Sequence, residues 1–257
     1  AESLRKETLK TIESDGCQPR IKRIASALIY YYDGAVTAEG IKEFINEYQK
    51  EAYLSSQELW LFPSMLRLVL VEYAALTIEK LNKEYEQANK AKTYYNELVR
   101  GDMGSRTTLL AKAKTDKNFS NYGLAHLELH IQHSHENKRQ EYYNWFESLL
   151  RARNVTAELV KNEMQLESSE NKTSLANVIG TVKMLSNLRW ESVYEQLSYV
   201  ENVYLKEKSD VYSRMDEQSR EYYRKRTWEI AYENGLKESS VADAVLALAD
   251  SHDDELR

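Results

Sequence analysis

Two prolines and eight glycines in 257 residues leave this chain short of the turn formers that a many-stranded β fold requires. The strands of a βαβ nucleotide platform are likewise missing, and neither a glycine-rich phosphate loop nor a G-x-S-x-G turn occurs. The single cysteine, Cys17, cannot close an internal disulfide, which agrees with a reducing compartment. No sustained basic block is present, and 35 basic against 41 acidic side chains give a formal charge of −6, so the electrostatic footprint of a nucleic-acid binder is absent. The N-terminus reads as charged amphipathic helix without the apolar stretch of a secretory signal.

What remains is a chain with 30% charged residues, apolar residues at helical spacing, and enough length to bury roughly 70–75% of its unfolded surface. It is expected to be all-α: an irregular multi-helix bundle of roughly ten helices with no sheet. Residues 1–257 form one helical domain, with the turn-rich segment 101–120 (GDMGSRTT, then TDKNFSN) as a flexible joint between sub-bundles 1–100 and 120–257.

The pattern predicts a first helix over 4–12, ended by Gly16, and a second over 21–32, ended by Gly34. Thr37 caps a third, whose inner face is Ile41, Phe44, Ile45 and Tyr48. Ser55 and Glu58 make a capping box before a longer helix, which Pro63 either kinks or restarts. Residues 59–78 are long and apolar enough to span a bilayer, but Arg67 and Glu72 near the centre would each cost about 2.5–3.5 kcal/mol there. The run therefore reads as a buried core helix, not a membrane span, with Arg67 and Glu72 as buried polar groups whose partners come from other helices. Further helices follow over 124–135, around the aromatics of 142–150, and over 156–169, 174–188, 190–206 and 240–249.

His126, His130 and His133 share one helix face. Their setting, HLELH, lacks the arrangement of a helical zinc protease, and the simplest reading is a polar face; the rival is a self-contained helical metal protein or enzyme centred on these three. No carboxylate pair sits where one group would be tuned up and the other down for glycoside cleavage.

The segment 211–231, VYSRMDEQSREYYRKRTWEIA, orders its charges and aromatics with unusual specificity. Ser213 is expected to cap a helix start, with the Asp216 carboxylate at the positive end of its dipole; Arg220, Arg224, Lys225 and Arg226 give a basic side, and Gly235 caps the end. Its wording resembles a segment of the bacterial cyclic β-1,2-glucan synthases, large inner-membrane glycosyltransferases: Arg214, Met215, Asp216, Ser219, Arg220, Glu221, Tyr223 and Arg224 fit their pattern. ELWLFPSMLRLVLVEY (58–73), the segment 174–204 with Asn177, Ile179, Trp190, Glu195 and Ser198, and SVADAVLALA (240–249) are similar to further stretches of the same family, in the same order. Glu217 and Gln218 depart from it, standing where an aromatic and a small residue are usual.

That resemblance implies a helical region on the cytoplasmic face of the inner membrane, within an enzyme that polymerises glucose from UDP-glucose and cyclises the product. The family's transferase, cyclising and phosphorolytic domains would lie beyond Arg257, leaving no catalytic site and no cofactor here. Partners would be other domains of the same synthase. Nineteen tyrosines, several in adjacent pairs, offer outward rings for such a domain or for glucan.

Overall fold

A computed structural model describes residues 19–255. The expected helix over 4–12, Gly16 and Cys17 lie outside the described residues. Every regular element among the described residues is helical: eleven α-helices and one 3-10 turn. The chain divides into two compact units, Ala1–Tyr73 with Asn177–Arg257, and Ala74–Ala176.

In the first unit, α1 (Arg20–Tyr31) and α2 (Ala38–Gln49) bury Ile24, Leu28, Ile41, Phe44 and Ile45. After α1 the chain turns through Asp33 and Gly34, both at positive φ (48° and 76°), and the Gly34 N–H donates to Ile29 O at 2.9 Å. Such a turn satisfies the carbonyls that a helix end leaves open. Thr37 Oγ1 then accepts from Gly40 N–H at 3.0 Å and starts α2.

Helix α3 (Ser56–Arg100) opens on the expected capping box. Ser55 N–H donates to Glu58 Oε2 at 2.9 Å, and Glu58 N–H donates back to Ser55 Oγ at 3.3 Å. Pro63 neither stops nor restarts this 45-residue helix. Proline brings no N–H, so the carbonyl four residues earlier loses its helical donor; Trp190 Nε1, buried against it, donates to Leu59 O at 3.1 Å.

The expected single helix over 190–206 is broken into α8 (Trp190–Leu197) and α9 (Tyr199–Tyr204). Ser198 makes the break: its backbone is extended (φ −69°, ψ 119°), and its hydroxyl caps α9 by accepting from Glu201 N–H at 3.3 Å. Gln49 Nε2 donates to Leu197 O at 2.9 Å, satisfying a carbonyl at the break. A 3-10 turn (Tyr212–Arg214) leads to α10 (Glu217–Glu233), and α11 (Glu238–Glu255) follows. Gly235, at φ 63°, closes α10, with Leu236 N–H on Ala231 O at 2.8 Å. Helices α9 and α10 both pack on α11, and α2 packs on α8.

In the second unit, the segment expected as a flexible joint holds α4 (Met103–Thr115), and residues 101–120 lie wholly inside that unit. Asp102 starts α4 by accepting from Ser105 N–H at 2.8 Å. Its far end is pinned by Arg153, whose guanidinium donates to the carbonyls of Ala113, Asp116 and Phe119 at 2.7, 2.6 and 2.6 Å. Helices α5 (Asn121–Gln132) and α6 (Glu136–Arg153) pack together, and α4 packs on α6, around Leu98, Leu109, Phe119, Leu124 and Phe146. Gly123 admits this packing because a Cβ there would come within 2.4 Å of the Phe119 ring. Helix α7 (Ala157–Asn187) runs without the expected pause near 169–174. Serine and threonine weaken a helix when their hydroxyls compete for backbone groups; here Thr173 and Ser174 donate to the carbonyls four residues back, at 2.8 and 3.0 Å, and the helix continues.

Candidate functional site

The segment 211–231 starts its helix three residues later than expected. Asp216 is the cap, accepting from Ser219 N–H at 2.8 Å, and this bond holds its carboxyl below the usual range. The Ser213 hydroxyl donates instead to Asp210 O, inside the preceding turn. From this start, Arg220 and Arg224 fall one turn apart on the inward side of α10.

Both reach Glu201 on α9, which has no exposed surface. Arg224 Nη1 donates to Glu201 Oε2 at 2.7 Å, the Tyr212 hydroxyl donates to the same oxygen at 2.7 Å, and Arg220 Nη1 donates to Oε1 at 3.1 Å. Burial works against the Arg224 charge, but the hydrogen bonds to Glu201 and Glu217 outweigh it and hold the guanidinium protonated, above its ordinary range. Burial, reinforced by the bond to Glu201, pushes the Tyr212 phenol well up, so it stays a donor. The cluster is therefore one buried carboxylate answered by two guanidiniums and a neutral hydroxyl. Glu217 takes the second edge of Arg224.

Sequence reasoning missed Glu201. The available signal was its place on an apolar helix face, between Val200 and the Val203–Tyr204 pair, where a carboxylate needs a partner. Of the other residues singled out in this segment, Arg214 is exposed, and Tyr223 is 44% exposed with its ring edge toward Tyr212. Asn177 Nδ2 donates to Asp33 O at 3.0 Å, holding the turn after α1, and Trp190 is the donor to Leu59 already described.

Arg67 and Glu72 are not the buried polar pair expected. Arg67 is exposed and reaches Leu185 O at 3.3 Å, while Glu72 pairs with Lys22 at 2.7 Å with nearly half its side chain in solvent. Helix α3 is amphipathic in this stretch: Leu59, Phe62, Leu66 and Leu70 are fully buried, whereas Leu61, Leu68 and Val71 are 51%, 43% and 67% exposed. By length and composition alone α3 could cross a membrane, yet only a third of its most apolar stretch is buried within the fold, so the run is not the uniformly buried core helix expected. Arg67→Leu should accordingly change stability by no more than about 0.5 kcal/mol in urea denaturation, the usual size for an exposed site. A loss several times larger would mean that the Leu185 contact is buried.

Beside the Glu201 cluster lies an aromatic cleft of about 490 Å³ between the start of α3, α8 and α10. Trp60 stacks on buried Tyr194 (centroids 4.6 Å, planes 24° apart), and Trp228 stacks on Tyr232 (5.4 Å, 20°). The Arg224 guanidinium sits 5.6 Å over the Tyr194 ring, which ties the cleft floor to the buried cluster. Gln57, Glu221 and Lys225 complete the rim.

In the second unit, two of the three histidines lie against tyrosine rings: His126 against Tyr122 (4.8 Å) and His130 against Tyr95 (5.5 Å). His133 Nδ1 lies 2.7 Å from Leu129 O in its own helix. Burial lowers the pKa of His126 and His130 and favours their neutral forms. Among the described residues, no group of three or more His, Cys, Asp or Glu side chains is placed to hold a metal ion.

No family model matches the chain. It is 25% identical over 236 residues to the cyclic beta-(1,2)-glucan synthase NdvB of Rhizobium meliloti (strain 1021), a match that takes in 90% of this chain and 8% of that protein. The relationship is distant, and the chain spans less than a tenth of that relative's length.

Proposed function

We propose that this chain is a non-catalytic helical scaffold and interaction module of a membrane-bound glycosyltransferase that makes cyclic β-1,2-glucan from UDP-glucose. It acts at the cytoplasmic face of the inner membrane and contacts other domains of the same synthase. The observation that carries this reading is the similarity to the synthase, which runs through 90% of the chain while using only 8% of the larger protein. A segment of that size, all helical among its described residues, fits a module that positions other parts. The chemistry of the buried cluster supports the same reading. Glu201 accepts from Arg220, Arg224 and Tyr212, and these hydrogen bonds join α9, the 3-10 turn and α10.

Reading the gene past the codon for Arg257 tests this directly. Membrane spans and a transferase domain are expected there; a stop codon directly after it would remove the parent enzyme. Turnover of UDP-glucose by the purified chain alone would overturn the non-catalytic part.

A further inference from the structure

We propose that the cleft between Trp60 and Trp228 is a carbohydrate subsite for a short chain of neutral hexopyranose units. The four tryptophans of the chain divide into two kinds. Trp145 and Trp190 donate their indole N–H to backbone carbonyls, of Arg106 at 2.9 Å and Leu59 at 3.1 Å, and serve the fold. Trp60 and Trp228 line the cleft, and their indole N–H groups meet no acceptor among the described residues. Trp60 is 45% exposed although it is braced from beneath by Tyr194, which is 1% exposed. An indole held flat by a buried ring and open on its outer side is a platform, and Trp228, stacked on the exposed Tyr232 one turn on in its own helix, also lines the cleft.

The rim selects among occupants. Glu221, Lys225 and Trp228 follow one another along one face of α10, and neither charged group has a partner among the described residues. One carboxylate and one ammonium stand on the rim, and the lining Arg224 is already paired with Glu201 and Glu217, so the rim favours neither an anion nor a cation. An apolar helix laid in the cleft would bury Gln57, Glu221, Lys225 and two indole N–H groups against carbon, and unpaired buried polar groups are penalised. A pyranose meets both demands. Its C–H faces lie on the indoles, and its hydroxyls donate to Glu221 and accept from Lys225, Gln57 and the indole N–H groups. The volume of about 490 Å³ lies within the range of small-molecule sites. Arg224 keeps this wall in place through Glu201, so the subsite is built on helices and not on a loop.

That the occupant is a neutral sugar rests on the cleft; that it is β-1,2-linked glucose rests on the function proposed above. Calorimetric titration and tryptophan fluorescence of the whole chain, with β-1,2-gluco-oligosaccharides of two to six units and with maltohexaose, separate the two. Saturable binding of the β-1,2 series is expected, weakened about tenfold by Trp60→Ala or Trp228→Ala and about threefold by Glu221→Gln, with circular dichroism unchanged. Equal binding of maltohexaose would uphold the sugar subsite and remove the β-1,2-glucan assignment. Binding of neither sugar, binding untouched by the tryptophan variants, or a self-association that Trp60→Ala abolishes in place of sugar binding would each overturn the subsite. Should a tryptophan variant fail to fold, Glu221→Gln and Lys225→Met change only rim side chains and decide the matter by the same titration.

Discussion

Glu201→Ala is expected to lower the unfolding free energy of the unit that contains it by about 3–5 kcal/mol, a large part of the stability of an ordinary domain. The loss is not the value of one ion pair. Deleting the carboxylate leaves Arg224, whose side chain is only 5% exposed, with Glu217 as its one remaining partner, and leaves the buried Tyr212 hydroxyl with no acceptor. Buried polar groups that lose a partner carry a desolvation penalty, whereas apolar replacement of all the partners does not. The triple variant Glu201→Leu with Arg224→Met and Tyr212→Phe should therefore recover most of the loss. Chemical denaturation followed by tryptophan fluorescence checks this, with each transition fitted separately, because a chain of two units need not unfold in one step. A loss below about 1 kcal/mol for Glu201→Ala would show that water reaches the cluster.

Trp190→Ala should cost about 3–5 kcal/mol, since the indole is buried against Phe62 at 6.0 Å and its removal opens a cavity. Trp190→Phe separates the hydrogen bond from the volume: it keeps a ring but leaves Leu59 O unpaired, for about 1–3 kcal/mol. The carbonyl needs this donor only because Pro63 cannot supply one. Pro63→Ala should consequently stabilise the Trp190→Phe protein more than the wild type, by about 1 kcal/mol in a double-mutant cycle. The comparison between backgrounds removes the general preference of helices for alanine over proline. No coupling within error would mean that the Trp190–Leu59 bond does not replace the missing helical one.

The legible parts of the fold were those whose cause lies within a few residues. Thr37 with Gly40, Ser55 with Glu58, the glycine turn at Gly34 and the closure at Gly235 all form as the sequence predicts, because each is a contact across one helical turn. The cap of α10 was misplaced by three residues because Ser213 and Asp216 are both good caps, and only the 3-10 turn ahead of the helix separates them. The joint expected at 101–120 shows the same limit. Its composition is that of a loop, yet Asp102 starts α4 and Arg153, some forty residues on, closes it with three carbonyl contacts.

The candidate site was legible only in part. Arg220 and Arg224 stood out in 211–231, but their acceptor did not, since Glu201 lies 19 and 23 residues away in a helix expected to run unbroken through Ser198. Arg67 and Glu72 drew notice as charges in an apolar run, and the fold turned both toward solvent because α3 buries one face here and not its full circumference. By itself, then, the sequence determined that the described residues are helical, where the locally capped helices begin and end, and which faces are apolar, all consequences of local hydrogen bonding and period. Which polar groups are buried, that Ser198 breaks a helix while Pro63 does not, and that Trp60 and Trp228 face one cleft were decided by tertiary structure. Each of those depends on a partner far along the chain, as Trp190 lies 131 positions after Leu59, and no local pattern encodes that partner's position.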